Sequence, residues 1–320
     1  MPPAGAESPT IGLDIGGTKI HGVLLGAEGK VLASARCATE IGPDGVVAGT
    51  SSLVQRLAAE AGIAVADVLS IGAGVPGVVD PQTGTVSHAV NLGVIDGSFP
   101  LAARLIEALG LPVVVDNDLN VAALGVAHLT PERGEAPLDL AFLSIGTGIA
   151  AGLVLDGVMR RGLGAAGEIG HLPLVPDGPV CPCGQRGCLE LYGSGSALER
   201  MWPAKAGGDS GLPTPARLFA AAEAGEPAAV RVRDTFVGAV AAAVRILVLS
   251  VDPRQIVLGG GVAALGEPLL SAVREALVRG SLDSPFLSSL VLGERLRLAP
   301  VDVPIAAIGA AIFARSVSTT

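Results

Sequence analysis

Two stretches of the sequence, 130 positions apart (144 − 14), follow the same order of elements. In the first, the apolar residues 11–15 run into a glycine turn and then into residues 20–25. In the second, residues 140–145 run into another glycine turn and then into residues 149–155. The shift superimposes Asp14 on Ser144, Gly16 on Gly146, Gly22 on Gly152 and Leu25 on Leu155. A strand, a glycine turn and a hairpin repeated in this way predict a duplicated unit and therefore two similar α/β halves.

Apolar periodicity and turn residues predict the remaining elements. The predicted strands cover residues 31–34, 69–75, 113–115, 255–258 and 296–298. The predicted helices cover residues 46–61, 101–109, 215–224, 228–249, 269–278 and 306–314, and another opens at 116–118. We expect a small α/β domain of residues 1–119 plus 304–320 and a large α/β domain of residues 120–303. A ligand is expected in an interdomain cleft.

Composition and charge limit the classes of partner. Hydrophobic residues make up 50% of the 320 and aromatic residues only 2%, which predicts globular cores of Ala, Val, Leu and Ile. The net charge of −9 disfavours binding to nucleic acid or to anionic membranes. Residues 1–10 lack the basic and apolar regions of a signal peptide, and the apolar run 240–251 is too short to span a bilayer. We therefore expect a cytoplasmic, soluble protein.

Residues 167–190 contain three of the four cysteines: Cys181, Cys183 and Cys188. With His171 they form a set of four thiolate and imidazole ligands, which is the closed tetrahedral set of a structural zinc site. One alternative is a disulfide, which would leave one cysteine of the three unpaired. The other is a group of buried reduced thiols, which seldom cluster among Pro, Gly, Gln and Arg. The spacing favours a zinc-binding loop, and clustered cysteines fit a reducing compartment.

Three glycine turns, each at the end of a predicted strand, occur in DIGGTK, SIGTG and LGGG. Glycine lets backbone N–H groups approach an anion closely, and threonine and lysine add donors and charge. Any one of these could be an ordinary strand-end turn, but three in two related halves favour nucleotide phosphate binding. The candidate residues are Gly16, Gly17, Thr18, Lys19, Gly146, Thr147, Gly148, Gly259, Gly260 and Gly261. The sequence contains no Walker loop, so the P-loop class is excluded.

A fourth glycine pattern, formed by Gly72, Gly74 and Gly77, matches the dinucleotide fingerprint G-x-G-x-x-G. Residues 78–84, VVDPQTG, predict a turn after it rather than a helix. A pyrophosphate would then lack the helix N-terminus that the fingerprint needs. A Rossmann dehydrogenase is therefore disfavoured.

Two aspartates are candidates for phosphoryl-transfer chemistry. Asp118, at a strand end, could accept the proton of an attacking substrate hydroxyl. It could instead be a helix N-cap, a role that Asp116, Asn117 and Asp118 could each fill. Asp14, before the first glycine turn, could hold Mg²⁺ through water, because Mg²⁺ prefers few carboxylates and keeps its waters.

A set of polar residues is suited to a sugar, which needs many fixed donors and acceptors. Glu168 and His171 are three positions apart and would share one face if that turn is helical. One ring nitrogen of His171 could bind zinc while the other meets a substrate hydroxyl. Asn91, Asn117 and Glu190 would complete the site. The alternative is that both glutamates are solvated surface charges.

The motifs DIGGTK, VDNDLN, SIGTGI, GEIGHLPL, CPCGQRGCLE and IVLGGGVA occur in the order typical of the ROK family (repressors, open reading frames and sugar kinases). The resemblance covers residues 10–315 and is greatest to the zinc-containing glucokinase members. It implies the actin-like, hexokinase-type (ribonuclease H-like) duplicated two-domain fold, with an interdomain cleft and a zinc-binding loop.

The resemblance also implies roles for individual residues. It makes Asp118 the catalytic base and places Asp14, Gly16, Gly17, Thr18 and Lys19 in the first phosphate motif. It places Gly146, Thr147 and Gly148 in the second motif and Gly259–Gly261 at the adenosine. It gives sugar contacts to Asn91, Asn117, Asp118, Glu168, His171 and Glu190. It gives zinc to His171, Cys181, Cys183 and Cys188.

The function expected from the resemblance is ATP-dependent phosphorylation of a hexose with Mg²⁺, glucose to glucose 6-phosphate, in a homo-oligomer (dimer or tetramer). Rival substrates are N-acetylmannosamine, N-acetylglucosamine, fructose and mannose, and polyphosphate or ADP could replace ATP. A sugar-sensing regulator or a non-catalytic sugar-binding protein is the other alternative. The net charge and the thirteen residues before Asp14 argue against a DNA-binding regulator. Departures from the family pattern are Ala150-Ala151, Leu119, Val126 and the missing aromatic after Asn91.

Overall fold

The computed structural model describes residues 8–130, 138–203 and 212–318. Contacts within the chain divide it into two compact units, each described by itself below. The first unit is Met1–Ala136, Gly157–Gly164 and Asp302–Thr320; the second is Pro137–Asp156 and Ala165–Val301. The helix that follows residue 117 lies wholly in the first unit by this division. The domain boundaries expected from the sequence, at 119/120 and 303/304, remain a prediction.

The described residues form thirteen strands and ten α-helices. The strands are β1 (Thr10–Ile15), β2 (Lys19–Leu25), β3 (Val31–Ala38), β4 (Ser70–Val75), β5 (Val78–Asp80), β6 (Thr85–Ala89), β7 (Val94–Phe99), β8 (Val113–Asn117), β9 (Leu140–Ile145), β10 (Ile149–Leu155), β11 (Val158–Met159), β12 (Gln255–Gly259) and β13 (Leu296–Leu298). The helices are α1 (Pro43–Ala61), α2 (Leu101–Leu109), α3 (Asp118–Leu129), α4 (Glu190–Gly193), α5 (Gly195–Met201), α6 (Thr214–Glu223), α7 (Pro227–Val251), α8 (Glu267–Arg279), α9 (Pro285–Ser289) and α10 (Ile305–Ser318). Each helix and strand predicted above is present, with ends that differ by up to four residues.

The first sheet has the strand order β3-β2-β1-β4-β8. Strand β1 pairs antiparallel with β2 and parallel with β4, and β4 pairs parallel with β8. Both faces of the sheet are covered. On β2, Ile20 and Leu24 belong to the core that includes α1 and α2, whereas Val23 and Leu25 pack with α10. Burial on both faces explains why the central strands are almost entirely apolar.

Two glycines allow α10 to approach the first sheet closely. A side chain on Gly12 or Gly72 would overlap the backbone of α10 at Ala307 or Ala310. Gly72 is the first glycine of the dinucleotide-like pattern. Its role in this structure is to let α10 pack closely against the sheet. The segment after Gly77 is strand β5, not a helix, which confirms that the fingerprint is coincidental.

The second sheet has the order β11-β10-β9-β12-β13 and repeats the first. Strand β9 pairs antiparallel with β10 and parallel with β12, as β1 does with β2 and β4. Strand β12 then pairs parallel with β13, as β4 does with β8. The core of the second unit packs this sheet against α7 and α8, with Phe236 fully buried. The predicted duplication is confirmed.

The two hairpins differ in register by one residue. Ile15 pairs with Ile20 across a four-residue turn, whereas Ile145 pairs with Ile149 across a three-residue turn. The shift of 130 positions therefore aligns β1 with β9 correctly. It misaligns β2 with β10 by one residue, as judged by their pairing with β1 and β9. By that pairing Gly22 corresponds to Ala151 rather than to Gly152, and Leu25 to Val154 rather than to Leu155. The shorter turn is the physical reason.

A three-stranded sheet in the order β5-β6-β7 was not predicted. Residues 78–84 were expected to be a turn, but Val78–Asp80 is a strand and only the following residues turn. The Asp80 side chain closes that turn by accepting hydrogen bonds from Gln82 N and Thr83 Oγ1, each 2.9 Å. Between β6 and β7, the 3₁₀ helix Val90–Leu92 carries Asn91. These three strands are short and rich in polar residues, so their sequences show no clear alternation of apolar and polar residues.

Helix α7 extends beyond the apolar run seen in the sequence, and by length and composition it could cross a membrane. Half of its most apolar window is buried in the structure. Phe236, Val240, Val244 and Leu247 all lie in the second core. Core packing therefore accounts for the apolar composition of this helix.

Candidate functional site

The ends of β1 and β8 bring charged side chains together in the first unit. Because β1, β4 and β8 are parallel, their carboxyl ends lie at the same edge of the sheet. Burial and the negative charge of Asp118 together raise the pKa of Asp14 to about 6, while Lys19 opposes the shift. The structure therefore places Asp14, Asp118 and Lys19 within electrostatic reach of one another.

Asn117 is the N-cap of α3, so this role does not belong to Asp118. Its Oδ1 accepts a hydrogen bond from Leu119 N at 2.9 Å, and its Nδ2 donates to Gly77 O at 3.1 Å. The amide of Asn117 keeps one N–H and one lone pair for a ligand. Leu119 N also donates to Asp118 Oδ1 at 2.9 Å, which orients the half-buried carboxylate at the first position of the helix.

The first glycine turn is held by Thr39, at the end of β3. Thr39 Oγ1 donates to Gly16 O at 2.6 Å, and Thr39 N donates to Thr18 O at 3.1 Å. Among the described residues, no partner accepts from the backbone N–H of Gly17 or Thr18. Adjacent unpaired amides of this kind can bind a phosphate oxygen. No pattern in the sequence indicates Thr39, because its role depends on a contact across the sheet.

Gly17 also lies against Asn91. A Cβ added at Gly17 would come within 2.7 Å of Asn91 Cβ, so a larger residue cannot fit there without moving Asn91. The segment that carries Asn91 therefore lies directly beside the first glycine turn, and Asn91 itself is exposed. The structure brings together these two residues, which were assigned from sequence to different parts of the site.

The second glycine turn is held by different elements. Gly195 N, at the start of α5, donates to Gly146 O at 2.7 Å. Glu190, the first residue of α4, accepts a hydrogen bond from Ile149 N at 3.3 Å through Oε2. The backbone N–H groups of Thr147 and Gly148 have no acceptor in the described part of the chain. This turn therefore also offers donors to an anion, and it lies beside a half-buried carboxylate.

The third glycine turn follows β12 and leads to a cavity in the second unit. Gly260 has a φ of 81°, which favours glycine, and the backbone of Ile145 lies within 2.7 Å of where a Cβ would be. The 3₁₀ helix Gly261–Leu265 follows it. Leu265 lines a cavity of about 750 Å³, a size suited to a nucleoside. The other lining residues include Phe219, Glu223, Arg233, Val237 and Pro268.

The four predicted zinc ligands lie together in the second unit. The ligand atoms of His171, Cys181, Cys183 and Cys188 are all within 4.8 Å of one another. Cys183 Sγ is 3.6 Å from Cys188 Sγ, and Cys181 Sγ is 4.0 Å from His171 Nδ1. A tetrahedral site with Zn–S bonds of about 2.3 Å has sulfur–sulfur edges of about 3.8 Å, so the set fits zinc. The four cysteines are free thiols in the structure, and no disulfide forms among them.

The thiols of this cluster do not titrate alike. Hydrogen bonds from the Gln185 backbone and from neighbouring thiols lower the pKa of Cys183 to about 6. Burial and the neighbouring sulfur atoms raise the pKa of Cys188 to about 12. Cys183 therefore reaches the thiolate form more readily than Cys188, whose thiolate needs a cation to compensate its charge. A divalent metal supplies that compensation, which is the chemistry expected of a zinc ligand set.

The segment before the cysteines is tied to the second sheet. Ala151 N on β10 donates to Gly167 O at 2.9 Å, and Leu189 N donates to Leu172 O at 2.8 Å. The 3₁₀ helix Ile169–His171 follows Glu168, which is exposed. Glu168 and His171 are therefore on one helical turn, as expected, and His171 also lies in the cluster of candidate metal ligands.

The model of the ROK family matches residues 10–317, and the chain belongs to this family. A glucokinase of Halalkalibacterium halodurans is 33% identical over 283 residues, which is 83% of this chain and 84% of that protein. The structure of a ROK hexokinase from Thermus thermophilus is similar with a TM-score of 0.79 and 35% identity, over 97% of this chain and 99% of that one.

A ROK glucokinase from Streptomyces griseus, solved with glucose and AMPPNP, is similar with a TM-score of 0.74 and 32% identity. The similarity covers 96% of this chain and 99% of that one. The fold is therefore the two-domain α/β fold of the ROK hexokinases, with a cluster of histidine and cysteine suited to metal.

Proposed function

We propose that this sugar kinase transfers the γ-phosphoryl group of ATP to the 6-hydroxyl of glucose. The observation that carries the proposal is the full-length similarity to a glucokinase solved with glucose and an ATP analogue. The acidic pair at the ends of β1 and β8 and the two turns with unpaired amides are the chemistry such a reaction needs.

Asp118 is the proposed general base. Its Oδ1 accepts the hydrogen bond from Leu119 N, which orients the carboxylate that takes the proton of the sugar hydroxyl as it attacks phosphorus. Asp14 is the proposed residue that holds Mg²⁺ through water, and its pKa of about 6 leaves it ionised at pH 7. Bound Mg²⁺ neutralises charge on the transferring phosphoryl group.

The glycine turns are the proposed phosphate and nucleotide contacts. In the first unit, Gly16, Gly17, Thr18 and Lys19 offer two free amides, a hydroxyl and an ammonium group. In the second unit, Gly146, Thr147 and Gly148 offer two amides and a hydroxyl. Gly259, Gly260 and Gly261, which lead into the 3₁₀ helix whose Leu265 lines the 750 Å³ cavity, are the proposed adenosine contacts.

The sugar contacts are proposed for each unit by itself. In the first unit they are Asn91, Asn117 and Asp118. In the second they are Glu168, His171 and Glu190. His171 Nδ1 points to the thiols, so Nε2 is the nitrogen that remains for a sugar hydroxyl. The zinc ligands His171, Cys181, Cys183 and Cys188 hold the segment that presents these residues.

The experiment measures ADP release with Mg·ATP across glucose, mannose, fructose, N-acetylmannosamine and N-acetylglucosamine, with Asp118→Asn as the control. We expect glucose to give the highest kcat/KM and the variant to keep only a residual turnover, about 10²- to 10⁴-fold below that of the parent. A higher kcat/KM for another hexose would reassign the substrate. Tight sugar binding without turnover, with ATP, ADP and polyphosphate all tried as donors, would favour a non-catalytic sugar sensor.

Two further proposals accompany this function. A sugar kinase acts on cytoplasmic metabolites, so we place the protein in the cytoplasm. We also propose a homo-oligomer, a dimer or tetramer, which light scattering after size exclusion tests directly. A mass of one chain, 31.7 kDa, at micromolar concentration would contradict the oligomer.

A further inference from the structure

A buried carboxylate lies two residues before the proposed base. Asp116 is near the end of β8, and its side chain is 3% exposed. Its Oδ1 accepts hydrogen bonds from Asn117 N and from Asn120 Nδ2, each 2.8 Å. These two donors come from either side of Asp118 along the chain. The Asp116 carboxylate therefore binds residues on both sides of Asp118 and holds the turn that leads from β8 into α3.

The other oxygen of Asp116 pairs with Arg161. The distance from Arg161 Nη2 to Asp116 Oδ2 is 2.7 Å, and the arginine side chain is 29% exposed. Arg161 comes from the segment Gly157–Gly164, which belongs to the first unit by contacts. Its guanidinium carbon lies 5.2 Å from the ring centre of Phe313 on α10, within the range of a cation–π contact. Three separate parts of the first unit meet at this pair.

An ion pair elsewhere in the same unit provides a contrast. Arg104 and Asp44 are 2.8 Å apart, but their side chains are 42% and 88% exposed. Such a pair contributes little, because water screens it and the two side chains lose entropy. In the Arg161–Asp116 pair the carboxylate is buried, so removing the arginine leaves a charge in a medium that solvates it poorly.

We propose that Arg161 is a positioning residue for phosphoryl transfer, acting through Asp116 to set the orientation of Asp118. The inference rests on the proposed function, in which Asp118 is the base. Without Arg161, Oδ2 of the buried Asp116 carboxylate loses its ionic partner and the side chain turns toward other donors. Such a turn weakens the hydrogen bonds that Asn117 N and Asn120 Nδ2 donate to Oδ1, so the start of α3 is no longer held at two points. A shift of about 1 Å in a reacting group can lower a rate about 10²-fold.

The test compares Arg161→Met, Asp116→Asn and the double variant, with Arg104→Met as the exposed control. Methionine keeps an unbranched apolar stem but removes the guanidinium, and with it the contacts to Asp116 and to Phe313. We expect Arg161→Met to lower kcat about 10- to 100-fold, with the KM for sugar and for ATP nearly unchanged. The double variant should recover part of the loss, because no unpaired charge remains buried. Arg161→Lys, which keeps the charge, should also recover part of it, and Arg104→Met should match the unsubstituted enzyme.

A second arm separates positioning from a general loss of structure. If Arg161 acts through Asp118, then Arg161→Met lowers turnover in the parent but not further in the Asp118→Asn background. Equal losses in both backgrounds, or wild-type kcat in folded Arg161→Met, would overturn the inference. If Arg161→Met does not fold, Arg161→Lys and the double variant decide the same question. Full activity of Asp118→Asn alone would instead overturn the proposed base, which is a distinct result.

Discussion

The two copies of the repeated unit end their first strand in a glycine turn, but different groups surround the two turns. The first turn lies between Asp14 and Lys19, with Asp118 close enough to shift the pKa of Asp14. In the second copy Ser144 occupies the position of Asp14, and strands β9 and β10 contain no ionisable residue. The carboxylate at that turn, Glu190, comes from helix α4.

The support of the two turns differs as well. A side chain and an amide of the neighbouring strand, both from Thr39, hold the first turn. The second is one residue shorter and is held by Gly195 at the start of α5. Duplication therefore preserved the sheet and the unpaired amides, while the charges diverged. We interpret the first copy as the one that carries reaction chemistry and the second as the one that carries neutral phosphate contacts and the metal loop.

The largest expected effect is that of Asp118→Asn. Loss of a general base typically lowers kcat by 10²- to 10⁴-fold. Asparagine keeps the size of the side chain, so the fold and metal content should not change. Steady-state kinetics and metal analysis measure both, and Ser144→Ala, which changes the residue of the second copy at the position of Asp14, is the control. Comparable losses of kcat in Asp118→Asn and Ser144→Ala would contradict the assignment of the reaction chemistry to the first copy.

The next expected effect concerns the metal loop of the second unit. Cys183→Ser removes one of the four ligands, so the protein should lose zinc and the orientation of the His171 turn together. We expect the KM for sugar to rise on the order of 10²-fold, as for a misplaced contact. Metal analysis and sugar titration by calorimetry test this, with Cys37→Ser as the matched control outside the cluster. Normal sugar affinity in metal-free protein would show that the loop does not depend on the ion.

The charge at the first turn should carry a cost in stability. The folded pKa of Asp14, about 6, is above its ordinary value of 3.8, so folding favours the protonated form. Its contribution to stability is therefore full below pH 4 and is lost as the pH rises through 6. At pH 7 we expect Asp14→Asn to be more stable than the parent by about 2–3 kcal/mol.

The difference between Asp14→Asn and the parent should disappear below pH 4, where aspartate is protonated and resembles asparagine. Denaturant unfolding from below pH 4 up to pH 8 measures this difference in stability. The same variant should bind Mg·ATP more weakly. Ser144→Ala, which changes no ionisable group, should show the same stability difference at every pH. A stability gain for Asp14→Asn that does not vary with pH would contradict burial of the charge as its cause.

The smallest effect compares one glycine from each turn. Gly17→Ala forces a Cβ against Asn91, and overpacking of this kind costs about 1–3 kcal/mol. Gly146→Ala meets no atom within 4 Å, so its unfolding free energy should change by about 0.5 kcal/mol or less. Thermal and denaturant unfolding measure both. If Gly17→Ala lowered the unfolding free energy no more than Gly146→Ala does, Asn91 would have moved aside without loss of stability.

Much of this molecule follows from the sequence, because the signals are local. The 130-residue repeat predicts two related sheets, and the apolar runs predict strands β9, β10 and β13 to the residue. The cysteine spacing predicts the cluster that the structure shows, because ligands so close in the chain can meet around one ion. Motifs of this length also suffice to identify the family.

Only the tertiary structure decided which residues far apart in the chain meet. Asp116, Asn117 and Asp118 are equivalent N-cap candidates by sequence, but Asn117 caps the helix and Asp116 is paired with Arg161. Thr39 reaches the first glycine turn only because β3 and β2 are paired. The one-residue difference between the hairpins became visible only in the strand pairing. Local patterns depend on neighbours along the chain, whereas these contacts depend on where the folded chain passes.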